Sequence, residues 1–337
     1  MNVLDSGKGE LLGWCDPEEH REWVHKNKSS AMEDKVLSLH EAISKYVNNG
    51  DYIAIGGFGH VRVSMAAIYE IIRAKKRELV ASGKTAVHDI DCLIAANCVN
   101  KIEVAYAFGH ELRGLSPASR RAVENGQVKV AAEWSNAAIQ WRFKAAASGL
   151  PWIPAYVMLG TDTFKFSSAK VAKDPLTGRH ICLIPACFPD VAIIHVHRCD
   201  RYGNSQIDGS LVMDSELARA AKRLIITAEE IVPNEEIRNE PWKTCIPYFY
   251  VDAVVETPYG SHPCNMPNCY YSDEEHMAEY LKLTSTVEGS KQYFDKYVHG
   301  TENFQTYLEL VGGATKLHYL KDLEKGKARF IFPWLRQ

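Results

Sequence analysis

The chain has 337 residues, 46% hydrophobic and 24% charged, the balance of a globular protein with room for one large or two medium cores. A net charge of −3 gives no whole-chain basis for nucleic-acid binding, which needs a basic domain or stripe. No apolar run approaches the roughly 18 residues of a membrane-spanning helix, and the first thirty residues lack the apolar core of a secretory signal, which points to the cytoplasm, bacterial by default.

Residues 1–34 are polar and charge-rich, with Trp14 and Trp23 as the only large anchors. They are expected to form an extension that docks on the body or on a partner, with one domain over 35–337. In LSLHEAISKYV (37–47) the apolar positions recur at helical spacing, and Ser38 with Glu41 forms a capping box. NNGD (48–51) ends that helix, and YIAIGGF (52–58) reads as a short buried strand running into glycines. SMAAIYEIIRAKKREL (64–79) is an amphipathic helix opening after Ser64. DIDCLIAANCV (89–99) reads as a strand or mixed segment, and IEVAYAF (102–108) as a strand ending at Gly109. A helix closed by Asn125-Gly126, the strand QVKVAAEW (127–134) and an alanine-rich helix ended by Gly149 follow. LPWIPAYV (150–157) restarts extended. HICLIPACFPDVAIIHVHRCD (180–200) holds two β-rich runs punctuated by Pro185 and Pro189. SELARAAKRLIITAEEIV (215–232) is a helix running into a strand, VDAVVETP (251–258) is a further strand, and the last third is mainly helical. Alternating β and α with Val/Ile-rich strands predicts an α/β fold, a mostly parallel sheet covered by helices with a helical C-terminal part.

Nine cysteines, odd in number, scattered and without a C-x-x-C, argue against a disulfide framework or a structural zinc site. They read as small buried hydrophobes. His195, His197 and Cys199 fall on one face of a strand, a spacing that could bind zinc, but a core or interface role fits them better and no metal is expected. Ser261-His262 is not a triad, because neighbours on an extended chain point apart.

The glycines of DYIAIGGFGH (51–60) invite a phosphate-loop reading. They form neither G-x-G-x-x-G nor G-x-x-x-x-G-K-[ST], and no acid follows at ribose spacing, so they read as a strand-to-helix turn rather than a nucleotide loop. That turn lies in a longer pattern: Asn49-Gly50, the spacers Asp51-Tyr52, the apolar Ile53-Ala54-Ile55, then Gly56-Gly57-Phe58. The pattern resembles the glycine-rich signature of the A (alpha) subunits of class I coenzyme A transferases. SGLPWIPAYVMLGTD (148–162), FPDVAIIHVHRCDRYGN (188–204), ITAEEIVPNEEIR (226–238), VDAVVETPYGSHP (251–263) and YLELVGGATKLHYL (307–320) are similar to their counterparts in A subunits of the glutaconate CoA-transferase type. The resemblance covers about residues 35–325 in order. It departs at Ser64, near which the family often has proline, and in residues 1–34.

The resemblance implies covalent transfer by a glutamate carboxylate. The carboxylate attacks an acyl-CoA, passes through an acyl anhydride and becomes a glutamyl-CoA thioester, which the acceptor acid then attacks. In the family this glutamate lies in a Ser-Glu-Asn motif of the B (beta) subunit. This chain has no Ser-Glu-Asn, so no catalytic nucleophile is expected in it, and activity requires the B subunit. Glu124, followed by Asn125-Gly126, reads as a helix end rather than a nucleophile. Coenzyme A is expected as part of the substrate, with no permanently bound cofactor; acyl-CoA and a short carboxylic or dicarboxylic acid are the expected substrates. Loops after parallel strands bind ligands in α/β folds, so Gly56, Gly57, Phe58, Gly59, His60 and Arg62, with His110 and Glu111 of FGHELRG (108–114), are expected to line the acyl and CoA site. Arg62 suits a substrate carboxylate or a CoA phosphate, or else a surface salt bridge. Two alternatives stand beside transfer. One is C–C cleavage of CoA thioesters on the same fold, by decarboxylation or ring opening; ring opening calls for an acid after VKVAAEW, where Ser135-Asn136 stand with Glu133 nearby. The other is a non-catalytic ligand-binding or scaffold subunit.

Overall fold

A computed structural model describes residues 2–329. Seven parallel strands make the central sheet, in the spatial order Ala253–Glu256, Arg223–Ile231, Val191–Cys199, Tyr52–Ile55, Leu79–Ala86, Val99–Ala107 and Lys129–Glu133. Two short antiparallel strands, Ser205–Gln206 and Thr244–Ile246, extend it beside the end of Val191–Cys199. The predicted α/β class with a mostly parallel sheet is therefore the observed one. Val191–Cys199 is buried at every position but Arg198, as expected of a strand covered on both faces.

Each face of the sheet carries its own core. On one, the helices Met65–Arg73 and His88–Ala95 and the C-terminal helices pack with Ile53, Ile55 and Ile102. On the other, Asn136–Ala147 and Asp214–Ala220 pack with Ala54, Ile194 and Ile226. The Ser38–Glu41 capping box forms as the sequence predicts. Two predicted elements differ. The helix opening after Ser64 ends at Arg73, because Lys75 and Glu78 turn left-handed (φ 54° and 60°), and Leu79–Ala86 is a strand. Residues 88–95 are helical, with Asp89 and Asp91 in the first turn, where acids favour a helix N-terminus.

The first 34 residues lie along the body of the same chain. Val3–Ser6 adds an edge strand to a separate antiparallel sheet through Lys170–Lys173. Asp16 caps the helix Pro17–Asn27, accepting from the Glu18 amide at 2.8 Å. The Phe188 amide donates to the Gly13 carbonyl at 2.6 Å, and Arg142 Nη2 to the Leu12 carbonyl at 2.5 Å. Lys28 reaches Asp252 at 2.9 Å, both side chains nearly buried.

Candidate active site

The loops at the C-terminal ends of the parallel strands gather the residues singled out in the sequence. Residues 56–62 leave the strand Tyr52–Ile55 in a tight double turn, with Gly57 and Gly59 at φ 75° and 59° and Arg62 at 55°. A Cβ on Gly56 would stand 2.8 Å from Asp214 Oδ1, and one on Gly57 2.4 Å from the Val61 carbonyl oxygen. The glycine pair is thus required by packing inside the chain. Gly59 differs, since a Cβ there meets nothing nearer than Thr85 Cγ2 at 3.8 Å; only its φ calls for glycine.

Arg62 does not reach outward. It is 1% exposed, pairs with Asp214 Oδ2 at 2.7 Å and donates to the Ser210 carbonyl at 2.6 Å. Asp214 also accepts from the Gly57 amide at 2.9 Å. Burial outweighs the attraction of Arg62 and holds the Asp214 carboxyl above its ordinary range. Arg62 and Asp214 therefore clamp the glycine loop from below.

His60 and His110 come together, with Nε2 of one 3.2 Å from Nδ1 of the other. His88 completes a group of three rings whose centroids lie 5.2–6.5 Å apart. His88 and His110 are fully buried, and His88 Nδ1 and His110 Nε2 have no hydrogen-bond partner. Burial, then the neighbouring His110 and Arg113, push the His60 imidazole down to about 3, so it is neutral at pH 7. Beneath them Asp91 accepts from Ser116 Oγ, from Ser119 Oγ at 2.5 Å and from Tyr280 Oη at 2.7 Å. Glu111 is exposed and opens a 3-10 turn at φ 54°, while Arg113 in that turn is held by Glu274 at 2.6 Å.

Strained backbone concentrates at this edge. Arg62, Thr85, Tyr106, Phe108 and Glu111 all have positive φ, at the ends of three adjacent strands. Such conformations cost roughly 1–3 kcal/mol each and cluster where function needs them.

The other candidates are occupied elsewhere. His195 is buried between Thr227 Oγ1 at 2.9 Å and Glu229 Oε1 at 2.8 Å. His197 faces the Pro267 carbonyl and the Asp208 amide, and Cys199 is buried. Among the described residues no group of three His, Cys, Asp or Glu stands where it could hold a metal ion. His262 contacts Tyr307 Oη at 2.8 Å and Asp273 Oδ2 at 3.2 Å. Glu124 closes its helix in an exposed pair with Arg120, and Glu133 is exposed at the end of its strand. Sequence reading did not single out Asp214, Glu229 or Asp91. Glu229, which also accepts from Tyr270 Oη at 2.5 Å and the Tyr259 amide at 2.7 Å, fastens the 257–263 loop to the sheet; its acid-rich setting, TAEEIV, was the only local signal.

A parallel sheet with a strained, histidine-bearing edge is the frame of an α/β enzyme chain that handles its ligand at the strand ends. The family model described as coenzyme A transferase matches residues 36–257. An uncharacterized protein of Archaeoglobus fulgidus is 64% identical over 334 residues, covering 99% of this chain and 75% of its own. The glutaconate CoA-transferase A chain of Acidaminococcus fermentans is 34% identical over 304 residues, 85% of this chain and 94% of that one. The crystal structure of that enzyme superposes with a TM-score of 0.81 over 85% of this chain and 95% of its own, at 33% identity. A cholesterol ring-cleaving hydrolase subunit of Rhodococcus jostii is 27% identical over 280 residues, 80% of this chain and 94% of that one. The chain belongs to the coenzyme A transferase family, a family of enzymes. The resemblance read from the glycine loop is confirmed along the chain.

Proposed function

We propose that this chain is the A (alpha) component of a hetero-oligomeric CoA-transferase that moves CoA between an acyl-CoA and a short carboxylic or dicarboxylic acid. A B subunit contributes the nucleophilic glutamate, and coenzyme A enters as part of the substrate, with no permanently bound cofactor. The observation that carries this reading is the 34% identity to a transferase A chain over 304 residues. It is supported by the state of the buried and half-buried acids at the strand-end edge. Asp91, Asp214, Glu229 and Glu274 are each tied to internal donors, which suits a chain that shapes a cleft and leaves nucleophilic attack to its partner.

In this reading Gly56, Gly57, Phe58, Gly59 and His60, with His110 and Glu111, form one wall of the cleft. Arg62 holds the loop in shape. His60 is a neutral imidazole at pH 7 and presents no charge to the thioester, while His110 fixes its ring. The acyl group passes to the partner's carboxylate and CoA thiolate returns to give a glutamyl thioester, so one exchange becomes two easier steps. Among the described residues no helix is long and apolar enough to cross a membrane; we assign the enzyme to the cytoplasm.

Co-purification with the B subunit, then acyl-CoA and borohydride, tests this. Reductive trapping of a glutamyl thioester on the partner is the expected result. Trapping on Glu124 would overturn it, and a partner without Ser-Glu-Asn that cleaves a C–C bond would move the chain to the branch of the ring-cleaving relative.

A further inference from the structure

The cations at the strand-end edge are unequal. Arg62 is neutralised by Asp214 and Arg113 by Glu274. Lys84 lies two residues before the end of the strand Leu79–Ala86, on the face it shares with Ala105 of the next strand. Its ammonium is 5.5 Å from the centroid of the Phe58 ring, in the middle of the glycine loop. The residue is half-buried, and no carboxylate of the described residues pairs with it. Burial alone lowers its proton affinity, with no acid acting to restore it. The next residue, Thr85, is one of the strained positions, and its carbonyl accepts from the Gly59 amide at 2.8 Å. Lys84 is thereby fixed to the same loop that forms the proposed cleft wall.

A partly desolvated ammonium with an aromatic ring beside it and no counter-ion is an incomplete site. An anion arriving with the substrate would complete it through a charge-assisted hydrogen bond. Coenzyme A carries phosphates, but the whole pantetheine arm separates them from the thioester. A dicarboxylic acyl-CoA carries a second carboxylate only a short carbon chain from the thioester, the spacing that a cation beside the acyl wall can meet.

We propose that Lys84 selects for dicarboxylic acyl groups, its ammonium taking the carboxylate at the far end of the acyl chain while the thioester lies against the glycine loop. This rests on the transferase reading above and adds to it the substrate class and the residue that recognises it.

The test uses the complex of this chain with its B subunit. Two thioesters that differ at one end, glutaryl-CoA and pentanoyl-CoA, are compared, with acetate as acceptor and acetyl-CoA as product. The wild-type complex is expected to prefer glutaryl-CoA in kcat/KM. Lys84→Met should lose on the order of 10- to 100-fold on glutaryl-CoA and stay within about twofold on pentanoyl-CoA. Lys84→Arg should keep most of the preference. Transfer from pentanoyl-CoA is the internal control for folding. Equal loss on both thioesters, as a phosphate contact or a structural role would give, would overturn the proposal. So would a wild-type preference for pentanoyl-CoA, although the transferase reading would then stand. If neither thioester yields acetyl-CoA, the transferase reading falls and this proposal with it.

Discussion

Two fully buried arginines sit in different parts of the molecule and do different work. Arg142 lies on one face of the sheet, against both oxygens of Glu103, which also accepts from Tyr52 Oη and from Trp134 Nε1 at 3.0 Å. Its remaining donors go to the Leu12, Pro185 and Ala186 carbonyls. Everything around it is satisfied, and no positive-φ residue lies among these partners. Arg62 is as buried, but its partner Asp214 spends its other oxygen on the Gly57 amide, and Arg62 itself has positive φ. The Arg142 site joins segments none of whose contacting residues has positive φ. The Arg62 site holds a loop in a shape it would not keep alone. An ion pair's burial therefore does not reveal its purpose; the backbone it restrains does.

The sharpest way to break this contrast is Asp214→Asn. It leaves the buried Arg62 charge uncompensated, for a loss of about 3–5 kcal/mol, and should also cut transfer per folded molecule by more than tenfold in the complex with the B subunit. Glu103→Gln removes a charge of the same kind at a similar cost of about 3–5 kcal/mol, read in urea unfolding, but the surviving folded molecules should keep near-normal activity. If both variants lose specific activity alike, the distinction is wrong.

The two positive-φ glycines of the loop refine the comparison on a smaller scale. Gly57→Ala meets the Val61 carbonyl at 2.4 Å and should cost about 2–3 kcal/mol together with activity. Gly59→Ala has free space and should cost about 1 kcal/mol, from φ alone. Equal losses in thermal unfolding would show that close approach adds nothing at Gly57 beyond what φ demands at both positions.

Titration probes the glycine loop as well. His60 is held down to about 3 in the folded chain, against about 6.5 when unfolded. Above pH 7 it is neutral in both states. Below 6.5 the unfolded chain takes up a proton that the folded chain refuses, so this contribution to stability is lost as pH falls from 6.5 towards 3, by up to about 1.4 kcal/mol per pH unit. His60→Gln should flatten the stability profile over that window, read by urea unfolding at a series of pH values. The smallest effect belongs to Glu124→Gln, on an exposed helix end. Unchanged stability and unchanged transfer are expected, and lost transfer would restore Glu124 as a nucleophile.

Much of this was readable in the sequence where one local rule decided the outcome. Ser38 and Glu41 announced a helix start, Gly149 a helix end, and Gly56-Gly57-Phe58 a strand-end turn. The strand Leu79–Ala86 was hidden because Ser82, Gly83, Lys84 and Thr85 interrupt its apolar pattern, and two of those four stand at the candidate cleft. Sites of function are where local preference and global fold are expected to disagree. The clamp on the glycine loop was invisible for another reason: Asp214 is 152 residues from Arg62, and no short-range pattern announces a partner so distant.

The N-terminal segment shows what such distances mean for a chain made from one end. Leu12 gives its carbonyl to an arginine 130 residues later, and Val3–Ser6 pairs with a strand that begins at Lys170. At about 5–20 residues per second, these residues wait on the order of ten seconds for the surface they belong to. During that time Val3, Leu4, Leu11 and Trp14, still partly exposed in the finished fold, have nothing to cover them. Residues 3–14 thus stay uncovered long after they are made, and the Arg142 core closes only when Leu12 meets the segment that ends at Ala186.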